Sequence, residues 1–528
     1  MRKKVLALLL ATAMVVSLAA CGSSSSTSST SSSSTSSESG STDSGSTDTT
    51  ETSSIEKPDT ITVMVDGTVF TEANGRAEFW DKCEELTGIH YEVTQPDHDA
   101  YYDVVGQTIA TGDWPDVIIL SSTYYVSYAN EGVLWDMTEA YESSSLKERI
   151  DAAGSSSVVE GMYINGHLYG MPVTRGNGCI TYVKQAWLDA CGIEAPTTYD
   201  EYIAMLEAFS TGDPDGDGVN GNTYGVSASG FIGADSPYVN YLPEFYQDAW
   251  PSFYQQDDGT WADGFTEDSM KEALQRIADA YAKGVIDPTT LTNGTKDCRT
   301  KYYSDEFGVF TYWAGTWSTN LTSNLINNGV DGELVALEPI AEVPYYYDRI
   351  PVPWCITSQC KNPEGVFEYF ISAMLDGGDV ELLFTYGVEG VHWSTEAETL
   401  YEGADNEVTY AEGEFHMLDN LETPGTQYTK AHIDPMLALV PITDDPGADT
   451  IAEGARTAQE TFNANCQTVT LVPATDEYSQ YNGDLVSEKN ELIAKVAIGE
   501  MTVDQAYEEY AKEAQSWSDL IVESLNAN

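Results

Sequence analysis

The sequence predicts a mixed α/β fold of two lobes followed by a helical C-terminal region. Three observations carry that expectation. Short apolar strands alternate with helices from Thr60 to Leu120, which demands crossover connections and a parallel sheet. The same alternation returns from Ile180 onward. From Asp484 to about Ser524 the spacing is helical, with acidic outer faces.

The elements follow in order. Thr60 to Val65 alternates as a strand, and Arg76 to Thr87 is a helix with Phe79, Trp80, Cys83 and Leu86 on one face and Gly88 as its stop. Ile89 to Thr94 is the next strand, His98 to Ala110 the next helix, and Val117 to Leu120 a short, wholly apolar strand. Further on, Ile180 to Val183 is a strand and Lys184 to Ala190 a short helix. Thr198-Tyr199-Asp200-Glu201 reads as a capping box opening a helix to about Phe209. Glu267 to Ala282 is the clearest helix, with Thr266 as cap, Met270, Leu274, Ile277 and Tyr281 on one face and Gly284 as terminator. The tail gives helices over Asp484 to Ile498 and from Val503 to about Ser524.

Of 528 residues, 41% are hydrophobic, enough to build cores. The 23 Lys plus Arg against 85 Asp plus Glu give a net charge of −62. A surface that acidic repels phosphate backbones and anionic headgroups, so nucleic-acid and peripheral membrane binding are not expected.

Arg2-Lys3-Lys4 followed by the apolar run Val5 to Ala20 has the form of an export signal. Leu18-Ala19-Ala20-Cys21 resembles the bacterial lipobox, which implies that residues 1–20 are removed and that Cys21 carries the lipid. Of the 32 residues from Ser23 to Ser54, 26 are Ser or Thr and none is apolar, so residues 21–56 are expected to be a disordered tether of roughly 30 Å average reach. Residues 57–528 are then the folded domain, held outside the cell membrane by the lipid alone. After Cys21 seven cysteines remain, without CxxC spacing. Neither a zinc site nor a disulfide framework is expected, though a Cys355–Cys360 pair on a hairpin stays open.

Asp213-Pro-Asp215-Gly-Asp217-Gly218-Val219-Asn220-Gly221-Asn222 stands directly after a helix. Carboxylates at loop positions 1, 3 and 5 with glycine at 6 match the start of a calcium loop, with Asp213, Asp215, Asp217 and the Val219 carbonyl as candidate Ca²⁺ ligands. Tyr224 replaces the closing glutamate at position 12, which argues for a structural ion and against a regulatory switch. The alternative is a solvated acidic turn. No GxSxG, HExxH or GxxxxGK[ST] motif occurs.

Tyrosine outnumbers phenylalanine 33 to 14, beside 11 tryptophans. Tyr and Trp present a flat apolar face with a hydrogen-bonding edge, the combination that sugar rings require. Candidate ligand residues are Tyr124, Trp313, Trp317, Trp354, His392 and Trp393, each of which equally suits a core position. Trp313, Trp317 and Trp393 lie near glycines, which permit close approach of backbone and ligand.

Several segments resemble the family 1 extracellular solute-binding proteins of bacterial ABC sugar importers, especially the Gram-positive lipoprotein subgroup related to alginate-oligosaccharide binding proteins. They are Gly112-Asp-Trp-Pro-Asp-Val-Ile118, Asn165-Gly-His-Leu-Tyr-Gly-Met-Pro172, Trp187-Leu-Asp-Ala-Cys-Gly192 with Pro196-Thr-Thr-Tyr-Asp-Glu201, the Asp213 loop, Tyr386-Gly-Val-Glu-Gly-Val-His-Trp393 and the Glu491-to-Glu509 tail. The resemblance implies a periplasmic-binding-protein-like fold in which each lobe is discontinuous in sequence. It implies an oligosaccharide in the cleft between the lobes, hinge closure, docking on ABC permease subunits, a monomer, and no enzymatic activity. It also implies that the Asp213 loop holds calcium, with Asn222 in place of the fourth acidic ligand, and that Arg175 and Glu389 lie in segments near the cleft. A surface glycan-degrading enzyme and a peptide- or signal-binding lipoprotein on the same fold are the alternatives.

Overall fold

Eleven strands are enough to place the site: β1 (Thr60–Met64), β2 (His90–Thr94), β3 (Val117–Ile119), β4 (Met171–Pro172), β5 (Cys179–Lys184), β6 (Tyr224–Val226), β7 (Phe307–Trp313), β8 (Leu334–Ala336), β9 (Tyr346–Asp348), β10 (Pro353–Ile356) and β11 (Cys466–Thr468). The computed structural model describes residues 55–66, 70–232, 239–404 and 406–527. The leader, Cys21 and the tether as far as residue 54 lie outside the described residues.

The first sheet has the order β2-β1-β3-β10-β4, with β10 antiparallel to both its neighbours. The second has the order β8-β5-β7-β6; β6 and β7 are parallel, and β5 is antiparallel to β7 and β8. Each sheet has its own core. Ile61, Val63, Ile118, Trp354, Phe370 and Phe384 belong to lobe 1, drawn from residues 61–173 and 350–440. Tyr182, Trp187, Phe209, Leu274, Phe307 and Leu492 belong to lobe 2, drawn from residues 179–346 and 458–525. The chain therefore crosses between lobes three times: at 174–178, at 347–349 and at 441–457.

Helices cover the sheets: α1 (Arg76–Thr87), α2 (Tyr101–Thr111) and α3 (Ser122–Asn130) on lobe 1, then α4 (Tyr199–Thr211), α5 (Asp268–Lys283) and α6 (Trp317–Asn327) on lobe 2. α7 (Asp379–Tyr386) returns to lobe 1, while α8 (Glu453–Ala464), α9 (Asp476–Ala497), α10 (Val503–Glu513) and α11 (Gln515–Asn526) complete lobe 2. The glycine stops act as expected: Gly88 and Gly284 take left-handed conformations, with φ of 65° and 75°.

Three expectations need correction. Thr266 does not cap α5: its hydroxyl donates to the Asp263 carbonyl at 2.8 Å, and Glu267 is the capping residue. The first tail helix begins at Asp476, because the Thr475 hydroxyl accepts the Tyr478 N–H and packing carries the helix through Asn482-Gly483. The second is two helices, broken at Ala514. Around Thr198 the box is half-formed. The Thr198 hydroxyl accepts the Glu201 N–H at 3.4 Å, while the Glu201 carboxylate takes the Thr197 N–H and hydroxyl at 2.9 and 2.7 Å. Cys355 and Cys360 are both free thiols. Among the described residues, no helix is long and apolar enough to cross a membrane.

Candidate functional site

Two glycines let the inter-lobe segments lie side by side. A Cβ on Gly176 would sit 2.0 Å from the Arg349 carbonyl, and one on Gly178 would sit 1.9 Å from the Tyr347 carbonyl. Only glycine fits there. The Arg349 N–H donates to the Asn177 carbonyl at 3.1 Å, joining the first and second crossings. A narrow recess opens at this junction, lined by Asn177, Asn240, Tyr345, Tyr347 and Arg349 among others. Tyr346, between them in sequence, stacks on Phe462 and donates to the Leu337 carbonyl.

The Arg349 guanidinium carbon lies 4.3 Å from the centroid of the half-buried Trp313 indole. From lobe 1, Tyr102 on α2 and Tyr124 on α3 stack face to face, 4.5 Å apart with ring planes 2° from parallel. Burial raises the Tyr102 phenol pKa and Asp66 raises it further; the Ser121 hydroxyl and the Arg349 charge pull it down. Arg349 thus lowers the pKa of the Tyr102 phenol on one lobe while stacking on the tryptophan of the other. Its neighbourhood is acidic. Tyr345 feels Asp257 and Asp248 as well as its burial. Burial pushes the Asp348 carboxyl up to about 6 against the pull of Arg349 and Arg175, and its Oδ1 is buried without a hydrogen-bond partner.

The structure sorts the sequence candidates. Tyr124 and Trp313 flank this junction. Arg175 lies on the first crossing, exposed, its N–H bonded to the Leu437 carbonyl at 2.7 Å and its guanidinium to the Ser155 hydroxyl at 3.3 Å. Glu389 is exposed on lobe 1, bridged to Trp393. Trp317 is half-buried edge-on against Tyr312 at 5.2 Å, beside Arg299. Because neighbouring strand residues face opposite sides, it covers the face of β7 opposite Trp313.

Trp354, His392 and Trp393 are corrected from cleft wall to core. Trp354 is 2% exposed among Phe370, Phe384 and His432. Trp393 stacks on Phe415 and donates to the Gly387 carbonyl at 3.0 Å. His392 is fully buried; its Nδ1 accepts the Val388 N–H at 2.9 Å, so Nε2 holds the proton and donates to the Asn74 carbonyl at 2.7 Å. None offers a face to a ligand. Sequence reasoning passed over Tyr102, Asn177 and Arg349; the available signal was an arginine two residues after the Tyr345-Tyr346-Tyr347 run in a chain poor in cations.

The acidic loop between α4 and β6 is a separate feature. Asp213, Asp215 and Asp217 bring carboxylate oxygens within 4.8 Å of one another. Gly218 N–H donates to Asp213 at 3.1 Å, and Asp217 accepts from Val219 N–H at 2.7 Å and from the Asn222 amide at 2.8 Å. Asp215 Oδ1 is buried with no partner, and burial, Asp213, Asp217 and Asp305 raise its pKa. A buried acceptor among like charges fits a cation. The loop leads into β6 at Tyr224, which pairs with Phe307 at the start of β7, whereas Trp313 ends that strand. At about 3.3 Å per residue the two are roughly 20 Å apart.

Comparison with known proteins adds the relatives. A family model described as bacterial extracellular solute-binding protein matches residues 78–377. Lipoprotein LipO of Bacillus subtilis is 24% identical over 232 residues, 43% of this chain and 45% of LipO, so the match spans about half that relative's length. The polygalacturonan/rhamnogalacturonan-binding protein YtcQ of the same organism is 22% identical over 83% of this chain and 84% of its own. Among solved structures, the Streptococcus pneumoniae substrate-binding protein FusA in complex with kestose has a TM-score of 0.59 at 18% identity, covering 88% of this chain and 98% of that one. Alginate-binding protein AlgQ2 without calcium ion has a TM-score of 0.63 at 17% identity, covering 89% and 98%. These likenesses show the two-lobed fold.

Proposed function

The chain belongs to the bacterial extracellular solute-binding proteins, and from that premise we propose that it captures an uncharged oligosaccharide between its lobes and delivers it to an ABC permease. It is a binding protein, not an enzyme. The observation that carries the ligand class is Arg349 stacked on Trp313 beside the inter-lobe recess, with the stacked Tyr102–Tyr124 pair on the other lobe. Flat rings take the C–H faces of pyranose or furanose units, and the guanidinium and the Asn177 and Asn240 amides meet their hydroxyls. FusA bound to kestose supports this reading.

The charge balance supports a neutral ligand. Around the junction Arg349 and Arg175 stand against Asp66, Asp248, Asp257 and Asp348, within a chain of net charge −62. An oligouronate would meet a repulsive field. Calorimetry with kestose, a mannose-rich glycan and trigalacturonate, at low and high salt, tests this. Saturable binding of a neutral sugar without new reducing ends is expected. Tight trigalacturonate binding alone would reverse the charge argument, and chain cleavage would overturn the binding role.

Two further parts of the reading concern the rest of the chain. Asp213, Asp215 and Asp217, with Asn222 and the Val219 carbonyl, would hold one Ca²⁺, whose charge offsets the carboxylates and pins the α4–β6 loop. At Cys21 a lipid would hold the protein at the outer face of the membrane, in keeping with the name of lipoprotein LipO. Cys21→Ala should release the protein or leave it unprocessed; a variant processed and membrane-bound like the wild type would contradict the anchor.

A further inference from the structure

Helix α6 of lobe 2 is tied to lobe 1 at both ends. At its start, beside the crossings, the Thr316 hydroxyl donates to Asp434 Oδ2 at 2.9 Å, and both residues are buried. The eleven residues of α6 then run roughly 16 Å at about 1.5 Å per residue. At the far end the Asn327 amide donates to the Gly425 carbonyl at 3.1 Å. Asn406 closes the triangle: its amide donates to Asn327 Oδ1 at 3.0 Å and to the Gly425 carbonyl at 2.9 Å.

Gly425 sits at the tip of a loop firmly rooted in lobe 1. Its N–H donates to Asp419 Oδ1 at 2.8 Å, and Asp419 bridges to Gln427. At the root, Asn74 Oδ1, 6% exposed, accepts from the Tyr428 hydroxyl at 2.9 Å and the Glu422 N–H at 3.2 Å. The loop is therefore stiff, while its grip on lobe 2 consists of amide bonds that water can replace.

We infer that Asn327, Asn406 and the Gly425 carbonyl form a reversible latch that holds the two lobes closed. The two ends of α6 divide the work. The buried Thr316–Asp434 bond moves little when the lobes part, because it lies at the pivot. The latch lies a helix length away, where a hinge rotation opens the largest gap, so opening must break it. Exposed amide–carbonyl bonds each add little in water, so their sum changes the closed-to-open ratio by about tenfold and leaves opening accessible. This inference does not depend on the identity of the ligand.

The test is single-molecule energy transfer on the intact, detergent-solubilised chain without ligand, with one dye on each lobe. Asn327→Asp, which sets a carboxylate against the Gly425 carbonyl, and Asn406→Ala should each move the population toward the longer inter-lobe distance, by about tenfold in ratio for the first and about threefold for the second, which removes one of the two inter-lobe bonds, with an unchanged melting temperature. Asn328→Asp is the control, since Asn328 bonds only within its own helix end, to the Asn324 carbonyl; it should match the wild type. Wild-type distances in Asn327→Asp and Asn406→Ala, or equal opening in Asn328→Asp, would overturn the latch.

Discussion

Arg349 stacks its guanidinium 4.3 Å over the Trp313 ring, although Trp313 ends strand β7 of lobe 2 and Arg349 lies just past β9, where the chain crosses between lobes. A planar cation on an indole is a preformed platform: the stack fixes the arginine and leaves its edge for hydrogen bonds. Lysine has the charge without the plane. Arg349→Lys should therefore weaken binding of a neutral glycan by roughly tenfold, the worth of about 1.4 kcal/mol, with an unchanged melting temperature. Calorimetry and thermal melting on the same variant check it; full affinity would remove Arg349 from the site.

The tryptophans divide in the same measurements. Trp313→Ala should cost roughly three- to tenfold in affinity, from about 0.5–1.5 kcal/mol of lost stacking, and little stability. Trp354→Ala and Trp393→Ala should instead lose about 3–5 kcal/mol of stability through the cavities they leave, with affinity intact in whatever remains folded. The reversed pattern would exchange wall and core.

That division marks the limit of what the sequence discloses. Helices ended by glycine were legible because cap and stop are local, as in Arg76–Thr87 before Gly88. Two lobes were legible from the repeated strand–helix alternation. Trp313 and Trp393 looked alike in sequence. Phe415, which stacks on Trp393, comes from a strand-flanked segment further along the chain, and no local pattern announces that partner. Arg349 has its role only because Gly176 and Gly178 allow two crossings to touch, a fact of tertiary assembly. The acidic loop was legible because its ligating residue types are consecutive.

Calcium should stabilise the folded protein. A ligand that binds only the native form adds about 2.7 kcal/mol at a hundredfold excess over its Kd. Melting in EDTA should fall below melting in calcium for the wild type, and the difference should vanish in Asp215→Ala. Neutral-glycan affinity at a temperature where both forms are folded should change little, because the loop and Trp313 lie at opposite ends of β7. Identical melting with and without calcium in the wild type would dismiss the ion.

Stability should fall as the pH rises from about 6.5 through 8. Burial pushes Glu244 up to about 7 and Glu381 up to about 8, far above a glutamate in an unfolded chain. The native state therefore keeps these protons after the unfolded chain has lost them at about pH 4.3, and each glutamate lowers stability from there until its buried carboxyl titrates, through pH 8. Below 6.5 the buried neutral imidazoles act in the opposite sense: burial lowers His392 and takes His432 down to about 3, so the unfolded chain gains protons that the native one refuses. Urea denaturation at pH 6.5 and 8.5 gives the alkaline slope. Glu244→Gln with Glu381→Gln should flatten it, and an unaltered slope would assign it to other groups.

The buried pair that fastens the C-terminal helices to lobe 2 gives the last prediction. Lys489 Nζ on α9 lies 2.7 Å from Asp263 Oδ1, with each side chain 2% exposed. Breaking such a pair by removing one partner costs about 3–5 kcal/mol, because the other charge is left buried. The two sides are not equivalent. Asp263 also accepts from the Tyr510 and Ser518 hydroxyls, each at 2.7 Å, and from the Phe265 N–H at 3.1 Å. Lys489 has, besides its partner, one hydrogen bond to the Pro251 carbonyl, at 3.0 Å, and lies 5.1 and 5.3 Å from the Phe253 and Phe265 ring centroids. An ammonium has three protons to satisfy, so the lysine is the worse group to strand. Asp263→Asn should thus destabilise more than Lys489→Met, which leaves a carboxylate still held by three donors. The double replacement should cost less than the sum of the singles, since no charge then remains buried. Urea midpoints of the three variants decide the order. Equal or reversed single-variant losses would mean that the hydroxyl donors do not hold the Asp263 charge, and strict additivity would mean that the two residues act separately.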